Sequence, residues 1–437
     1  MHTDLTTGSI KDHLIKLSIP AITGYFFHTV YNVTDTYFAG MISTEALAAL
    51  SLSASIFFML LAISIGMSEA LTSLVGNALG KKEIQKAQHI SLNGIVFGAM
   101  ISIVLTICGV LITPYLIDFL SDPSYTDTTL EYINIILFAT IFFIGSFFFN
   151  SLLNATGDTV SFRNVLIFTA FLNMILNYIL VVYFHMGVQG IALSTIFSEA
   201  ITMAYLFYKL KKTKLYSGFK NFNFDIRIIK ELMKQGFPPS MNMFLMAFGM
   251  YIITYYVAPY GKEAVAAFGI GMRIEQIFLM PVVGLGIATL AIVSQNNGAK
   301  EYKRIEPTVN FAIKFGFFIS ALGVASFFMF GDFYSSLLTS DKLVIEQTTL
   351  YLRICGFGFF GFVLIFVYIS MLQGIAKPAI IFPLSLYRQL IAPVILFTIF
   401  SFLELNIYSI WLGLVTIIFS SSLYLWWYSQ KSLKELL

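Results

Sequence analysis

Glu45-Ala46-Leu47-Ala48-Ala49 returns 218 residues later as Glu263-Ala264-Val265-Ala266-Ala267, and that return decides how the chain is built. At the same offset Leu14 falls on Leu232, Lys16 on Lys234, Pro20 on Pro238, Gly80 on Gly298, Glu83 on Glu301 and Lys86 on Arg304. A slip of one residue then aligns Ser121-Asp122 with Ser340-Asp341, Tyr132 with Tyr351, and Leu153-Asn154 with Leu372-Gln373. Matches at one near-constant offset mark an internal duplication. Both copies are apolar: of 437 residues 58% are hydrophobic and 11% charged, with a mean hydropathy of +0.83. An ordinary soluble domain carries about a quarter charged residues, so most of this surface faces lipid. At roughly 20 residues per membrane-spanning helix, the chain holds about twelve spans and no large soluble domain.

Spans are predicted at 14–38, 46–71, 87–112, 132–153, 164–184, 189–210, 236–257, 264–293, 309–330, 351–372, 379–403 and 407–428. Basic residues collect on alternate connections: Lys81, Lys82 and Lys86; the long run from Lys209 through Lys211, Lys212, Lys214, Lys220, Arg227 and Lys230 to Lys234; Lys300, Lys303 and Arg304; Lys377; Lys431 and Lys434. The opposite connections are mainly acidic, with Asp118, Asp122, Asp127, Glu131, Asp332, Asp341 and Glu404 against Lys262 and Lys342. The positive-inside rule then puts both termini in the cytoplasm, as an even number of spans requires. The fold class is an all-α membrane protein with twelve transmembrane helices in two pseudo-symmetric six-helix bundles around a central cavity. The division is 1–210, an N-terminal lobe; 211–235, a cytoplasmic linker; and 236–437, a C-terminal lobe. Even-numbered halves enter the membrane in the same orientation, a plan transporters use to rock two bundles about a midplane site. The start of the chain lacks the pattern of a cleaved secretory signal, and Cys108 and Cys355 lie in apolar stretches, against a disulfide framework or thiolate metal site.

Several segments carry a family resemblance: Pro20 with Asp35-Thr36-Tyr37-Phe38-Ala39-Gly40, Leu74-Val75-Gly76-Asn77-Ala78-Leu79-Gly80-Lys81-Lys82, Asn154-Ala155-Thr156-Gly157-Asp158-Thr159, and Val293-Ser294-Gln295-Asn296-Asn297-Gly298-Ala299-Lys300. In order and spacing the chain resembles the multidrug and toxic compound extrusion (MATE) family, from Leu5 to Leu423. The resemblance implies a two-lobe antiporter that expels amphipathic, often cationic compounds as protons or sodium ions move inward.

An ionisable side chain at the bilayer centre costs at least about 2.5–3.5 kcal/mol on insertion scales, so each one asks for a use. The deep ones are Asp35 in the first span, Glu199 in the sixth, and Arg273 with Glu275 in the eighth; Glu69, Lys314, Arg353 and Arg388 are placed near enough to span ends to snorkel. Tyr31 precedes Asp35 by one turn and shares its face. Burial favours a neutral carboxyl whereas donors or a cation favour a charged one, and a carboxyl held between these influences can exchange a proton near neutral pH. Asn173 and Asn177, four apart in the fifth span, present two amides on one face, and Thr195 in the sixth adds a hydroxyl. Together they predict an oxygen-rich pocket for Asp35 or for a hard cation. The resemblance implies that Asp35, with partners Tyr31, Asn173, Asn177 and Thr195, is the coupling position of the N-terminal lobe, and that the first helix can bend at Pro20. Asn177 departs from the many relatives with a sodium-like site that carry a second carboxylate there, which favours protons over sodium.

The halves differ. The counterparts of Asp35, Asn173, Asn177 and Glu199 are Ile253, Ala392, Leu396 and Ile418, so the polar pocket exists once. Some family members carry coupling acids in the seventh and tenth spans; this chain has none deep in either. Arg273 and Glu275 are two residues apart, point about 200° apart on a helix, and cannot pair with each other. Glu275 is expected to face the central cavity as a site for a cationic substrate or a proton, with Arg273 and Glu199 as further candidates. Plainer roles stand beside these: Asp35 as a carboxylate satisfying nearby backbone, Asn173, Asn177 and Thr195 as interhelical hydrogen-bond glue, Glu275 in a structural pair, His28 as structural, and Met243, Met246 and Met250 as packing.

The resulting expectation is a multi-pass plasma (inner) membrane antiporter exporting small amphipathic, cationic compounds (drugs, toxins) in exchange for inward H+ or Na+, with H+ favoured. It is not an enzyme, needs no cofactor, engages the bilayer but no nucleic acid, and works as a monomer. The rival is a flippase for a lipid-linked saccharide or other amphiphile, which for an anionic headgroup should line its cavity with several basic residues. An intramembrane enzyme would need clustered acid, base or metal-ligand groups, and direct ATP use a P-loop; the sequence has neither.

Overall fold

The computed structural model describes residues 3–219 and 222–436; Lys220 of the basic connection lies outside them, as do residues 1–2 and 437 at the ends of the two expected lobes. The first bundle contains α1 (Ile10–Ile42), α2 (Thr44–Gly80), α3 (Ile84–Leu120), α4 in two pieces (Thr126–Phe138 and Thr140–Ala155), α5 (Val160–Tyr183) and α6 (Gly187–Lys211). The second contains α7 (Ile226–Tyr260), α8 (Lys262–Gly298), α9 (Ile305–Ser336), α10 in two pieces (Lys342–Cys355 and Gly358–Gly374), α11 (Pro378–Phe402) and α12 (Ile407–Lys434). Nine of these are long and apolar enough to cross a membrane, and the bent pairs α4 and α10 raise the number to eleven. The twelfth is α1, 33 residues long and made more polar by His28, Asn32, Asp35 and its threonines.

Two spans expected as single runs are bent, by 47° in α4 and 51° in α10. At the first bend the Leu137 carbonyl is taken by two side-chain hydroxyls, Thr140 at 2.6 Å and Thr106 at 3.2 Å, in competition with the helical ladder. At the second, Gly356 and Gly358 flank the break, and glycine weakens a helix interior. The breaks fall at corresponding places in the two copies.

Helix α7 starts ten residues earlier than expected, inside the stretch read as linker, because Asp225 caps it by accepting from the Arg227 amide at 2.9 Å. The connection before it is docked on α3. Gln88 donates to the Lys214 carbonyl at 2.8 Å and Asn93 to the Asn223 carbonyl at 3.1 Å, while the Asp225 amide donates to Asn93 at 2.9 Å.

The bundles meet through α1 and α2 on one side and α7 and α8 on the other, at the end carrying both termini. Gly66, Gly76 and Gly80 of α2 lie against Ser240, Ser294 and the Gln295 carbonyl. Gly284 and Gly298 of α8 lie against Ile22 and the Asn77 carbonyl. Ser240 donates to the Ile63 carbonyl at 2.7 Å, Gln373 to Glu69 at 2.7 Å, Asn77 to the Gly374 carbonyl at 2.9 Å and Asn297 to Asn77 at 2.6 Å. The arm before α1 joins this seam: Leu5 donates its amide to Gln295, and Asn296 donates to the Leu5 carbonyl. Toward the opposite end Gly40 and Gly269 face open space, and Thr36, Ser51, Ser55 and Arg273 are exposed.

Candidate ion-coupling site

Asp35 is buried in α1, where its carboxylate collects three donors from two other helices. Oδ1 accepts from Asn173 Nδ2 at 3.1 Å and Asn177 Nδ2 at 2.7 Å, and Oδ2 accepts from Thr195 Oγ1 at 2.9 Å. The helical spacing explains the convergence: Asn173 and Asn177 lie one turn apart on α5, and Thr195 lies on the neighbouring α6. Tyr31, one turn before Asp35, donates its hydroxyl to the Thr195 carbonyl at 3.2 Å. The five residues picked from the sequence for this pocket therefore stand together, all buried.

The pocket's polarity differs from expectation. Its amides turn N–H groups, not oxygens, toward the acid. The carbonyl oxygen of Asn173 accepts from Asn177 at 3.1 Å, and that of Asn177 accepts from Ser194 Oγ at 2.7 Å. Ser194 also accepts from Asn173 at 3.3 Å and completes the ring. So arranged, the site solvates a carboxylate with donors, and a hard cation would need the amides reversed. Sequence reasoning missed Ser194, although its position beside Thr195 was a usable signal, and it missed Tyr132 of α4, whose hydroxyl approaches Thr195. Tyr132 was visible as the repeat partner of Tyr351.

Glu199, one turn beyond Thr195, is buried next to Ser146 and near Tyr31. Pro20 is buried within an α1 that stays helical from Ile10 to Ile42. His28 is partly buried and stacked on Tyr31 with ring centroids 6.1 Å apart.

Two expectations are corrected. Glu275 does not face the cavity: it lies inside the second bundle, accepts from the Tyr351 hydroxyl at 2.8 Å, and is 6% exposed near Phe268 and Trp411. The reason is angular. Arg273 lies three helical turns before Gly284, which touches α1, so Arg273 continues the face turned to the other bundle and Glu275 points nearly opposite. Arg388 does not snorkel either; it is buried, 5% exposed, in a π-helical turn of α11, and its Nη2 donates to Asn242 Oδ1 at 3.1 Å. Arg273 is thus not the single deep cation.

A family model described as MatE matches residues 20–179 and again 238–398, the two matches starting 218 residues apart. The chain belongs to the MATE family. MATE proteins are transporters, not enzymes, and the second match lies on the second copy of the internal repeat. Among curated relatives, the probable multidrug resistance protein NorM of Thermotoga maritima is 25% identical over 431 residues, 95% of this chain and 91% of that protein. The multidrug export protein MepA of Staphylococcus haemolyticus is 22% identical over 351 residues, 79% and 77% of the two chains. Among solved structures, an outward-facing MATE multidrug transporter superposes with a TM-score of 0.95 over 99% of this chain and 98% of that one, at 22% identity. The fold is therefore the two-bundle MATE fold.

Proposed function

We propose that this MATE transporter is a secondary antiporter that exports small amphipathic compounds in exchange for inward-moving protons, with Asp35 as the proton carrier. The observation that carries the reading is the cage of three donors around one buried carboxylate, with no second acid bonded to it among the described residues. Protonation turns Asp35 from a pure acceptor into a donor and leaves the amide and hydroxyl donors competing for fewer lone pairs. Helices α1, α5 and α6 then repack, and the cavity of the first bundle shrinks. Sodium is disfavoured because Asn177 brings a neutral amide, leaving Asp35 as the one acid in the hydrogen-bonded ring among the described residues. A potential of 100 mV supplies about 2.3 kcal/mol per charge to drive the cycle. The names of NorM and MepA support drug-like cargo.

With both termini in the cytoplasm of a plasma-membrane protein, the seam closes the inner side and the chain has the outward-open shape. The lobes divide between Lys211 and Ile226, within the stretch 211–235, and the monomer is the working unit.

The test is dye efflux from proteoliposomes under separately imposed pH and sodium gradients. Wild type should respond to the pH gradient, and Asp35→Asn should lose at least about tenfold of that response. Undiminished efflux in the variant would remove Asp35 from coupling, and efflux driven by sodium at constant pH would overturn the proton assignment.

A further inference from the structure

The second bundle holds a buried cation without a counter-ion. Arg388 has five N–H groups to satisfy, yet among the described residues only Nη2 has a hydrogen-bond partner, Asn242, while Nε and Nη1 have none. Among the described residues no carboxylate lies within salt-bridge distance of it. The Phe362 ring, 6.0 Å from the guanidinium carbon, covers it on one side. Asn242 Oδ1 is already used twice, by Arg388 and by Ser385 Oγ at 2.7 Å, and the Asn242 Nδ2 group meets only the Met246 sulfur at 4.0 Å. What remains unsatisfied is all donor, guanidinium Nε and Nη1, beside an amide held by a sulfur alone. The chemical complement of such a cluster is an anion with two acceptor oxygens, and a guanidinium edge matches a carboxylate or phosphate in geometry.

The position suits a ligand as well as the chemistry does. Asn242 stands two residues beyond Ser240, whose bond to the Ile63 carbonyl marks where the bundles part. The cluster therefore lies at the level where the cleft begins, on the side of α7 turned into the second bundle. Arg273, exposed on the α8 face directed to the same cleft, adds a second positive charge along the approach. The π-helical turn Tyr387–Ile391, between Pro383 and Pro393, is what holds the guanidinium inside the bundle rather than at its end.

We propose that Arg388 and Asn242 form a binding site for an acidic group, carboxylate or phosphate, carried by the transported molecule. Asp35 and Arg388 then divide the work: the first bundle handles the coupling ion and the second recognises the acidic end of the cargo. This rests on the export reading above and narrows its substrate class to amphiphiles bearing an acid.

The experiment uses the full chain in nanodiscs and a matched fluorescent pair, an aromatic amine carrying a carboxylate and its methyl ester, with binding read by anisotropy. Wild type should favour the acid over the ester by about tenfold or more, as expected for a charge-assisted bond. Arg388→Gln should bring that ratio near one, and Arg388→Lys should keep part of it, because an ammonium retains charge but loses the fork. Should Arg388→Gln fail to purify, Asn242→Asp supplies an internal carboxylate to the arginine and should likewise abolish the preference. A wild type without preference, or a ratio unchanged in the variants, would each overturn the assignment. Gradient-driven efflux of the acid is measured separately, and its absence in wild type counts against antiport while leaving the binding ratio readable.

Discussion

The two bundles share a scaffold and differ in the charge they bury. In the first, a carboxylate is met by three donors from α5 and α6. In the second, the matching positions are Ile253, Ala392 and Leu396; Glu275 is buried elsewhere in it on Tyr351, and it also buries a guanidinium with one acceptor. The scaffold features recur in both: a bend in α4 and α10, glycines facing the opposite helix in α2 and α8, and a tyrosine directed inward from α4 and α10. What both copies must do together, close one seam, keeps them alike. What one copy can do alone has been free to diverge.

The largest effect should come from breaking the equivalence at the seam. A Cβ at Gly80 would sit 2.0 Å from the Gln295 carbonyl oxygen, and one at Gly298 would sit 2.0 Å from the Asn77 carbonyl oxygen. Both obstacles are backbone, so Gly80→Val and Gly298→Val should each force the bundles apart and cut efflux by at least about tenfold. Efflux assays on the pair would break the comparison if only one glycine mattered.

An intermediate effect should sharpen the difference between the pockets. Asn177→Asp gives the first bundle a second carboxylate next to Asp35. Attraction between unit charges 4 Å apart is about 4 kcal/mol at an effective dielectric of 20, so sodium affinity should rise by about tenfold or more. Sodium-gradient-driven efflux is the readout, and an unaltered sodium response would show that the amide ring, not the missing charge, excludes the ion.

The smallest effect concerns the join between the copies. Arg227 beside Asp225 holds its carboxyl down at about 2, with help from the backbone amide of Arg227 and from His89. A depressed carboxyl contributes stability above its ordinary value near 3.8, and that contribution fades as pH falls toward 2. Asp225→Asn should therefore lower Tm by about 1–3 °C at pH 7 and by less at pH 3, the pair being screened on its exposed Arg227 side. Thermal melts at the two pH values would check the sign.

Much of this was readable from residue order. The duplication and the long apolar runs foreshadowed the two bundles, and amides four apart on α5 foreshadowed a shared face toward Asp35. The bends were not readable, because the apolar run continues through each break and the cause at α4 is a contest for one carbonyl between Thr140 and Thr106. The direction in which Asn173 and Asn177 turn their amides was equally hidden, since it depends on Ser194 closing the ring. Glu275 needed one more fact, which face of α8 meets the other bundle. Arg388 was assigned to a helix end from its place in the chain, whereas the π-helical turn and Asn242 draw it inside.

The seam of neutral hydrogen bonds behaves as a latch with a definable strength. Ser73 to the Gln373 carbonyl, Asn77 to the Gly374 carbonyl, Asn297 to Asn77, Gln295 to the Ala155 carbonyl and Ser240 to the Ile63 carbonyl all cross it. At about 0.5–1.5 kcal/mol net apiece, two or three of them match the work one charge performs in falling through 100 mV. Unlatching in a single step would outrun that supply, so the bonds must release in sequence or be replaced as they break by contacts forming at the far rim. The energy of separating the bundles then lies as much in these uncharged amides and carbonyls as in the buried carboxyl of Asp35.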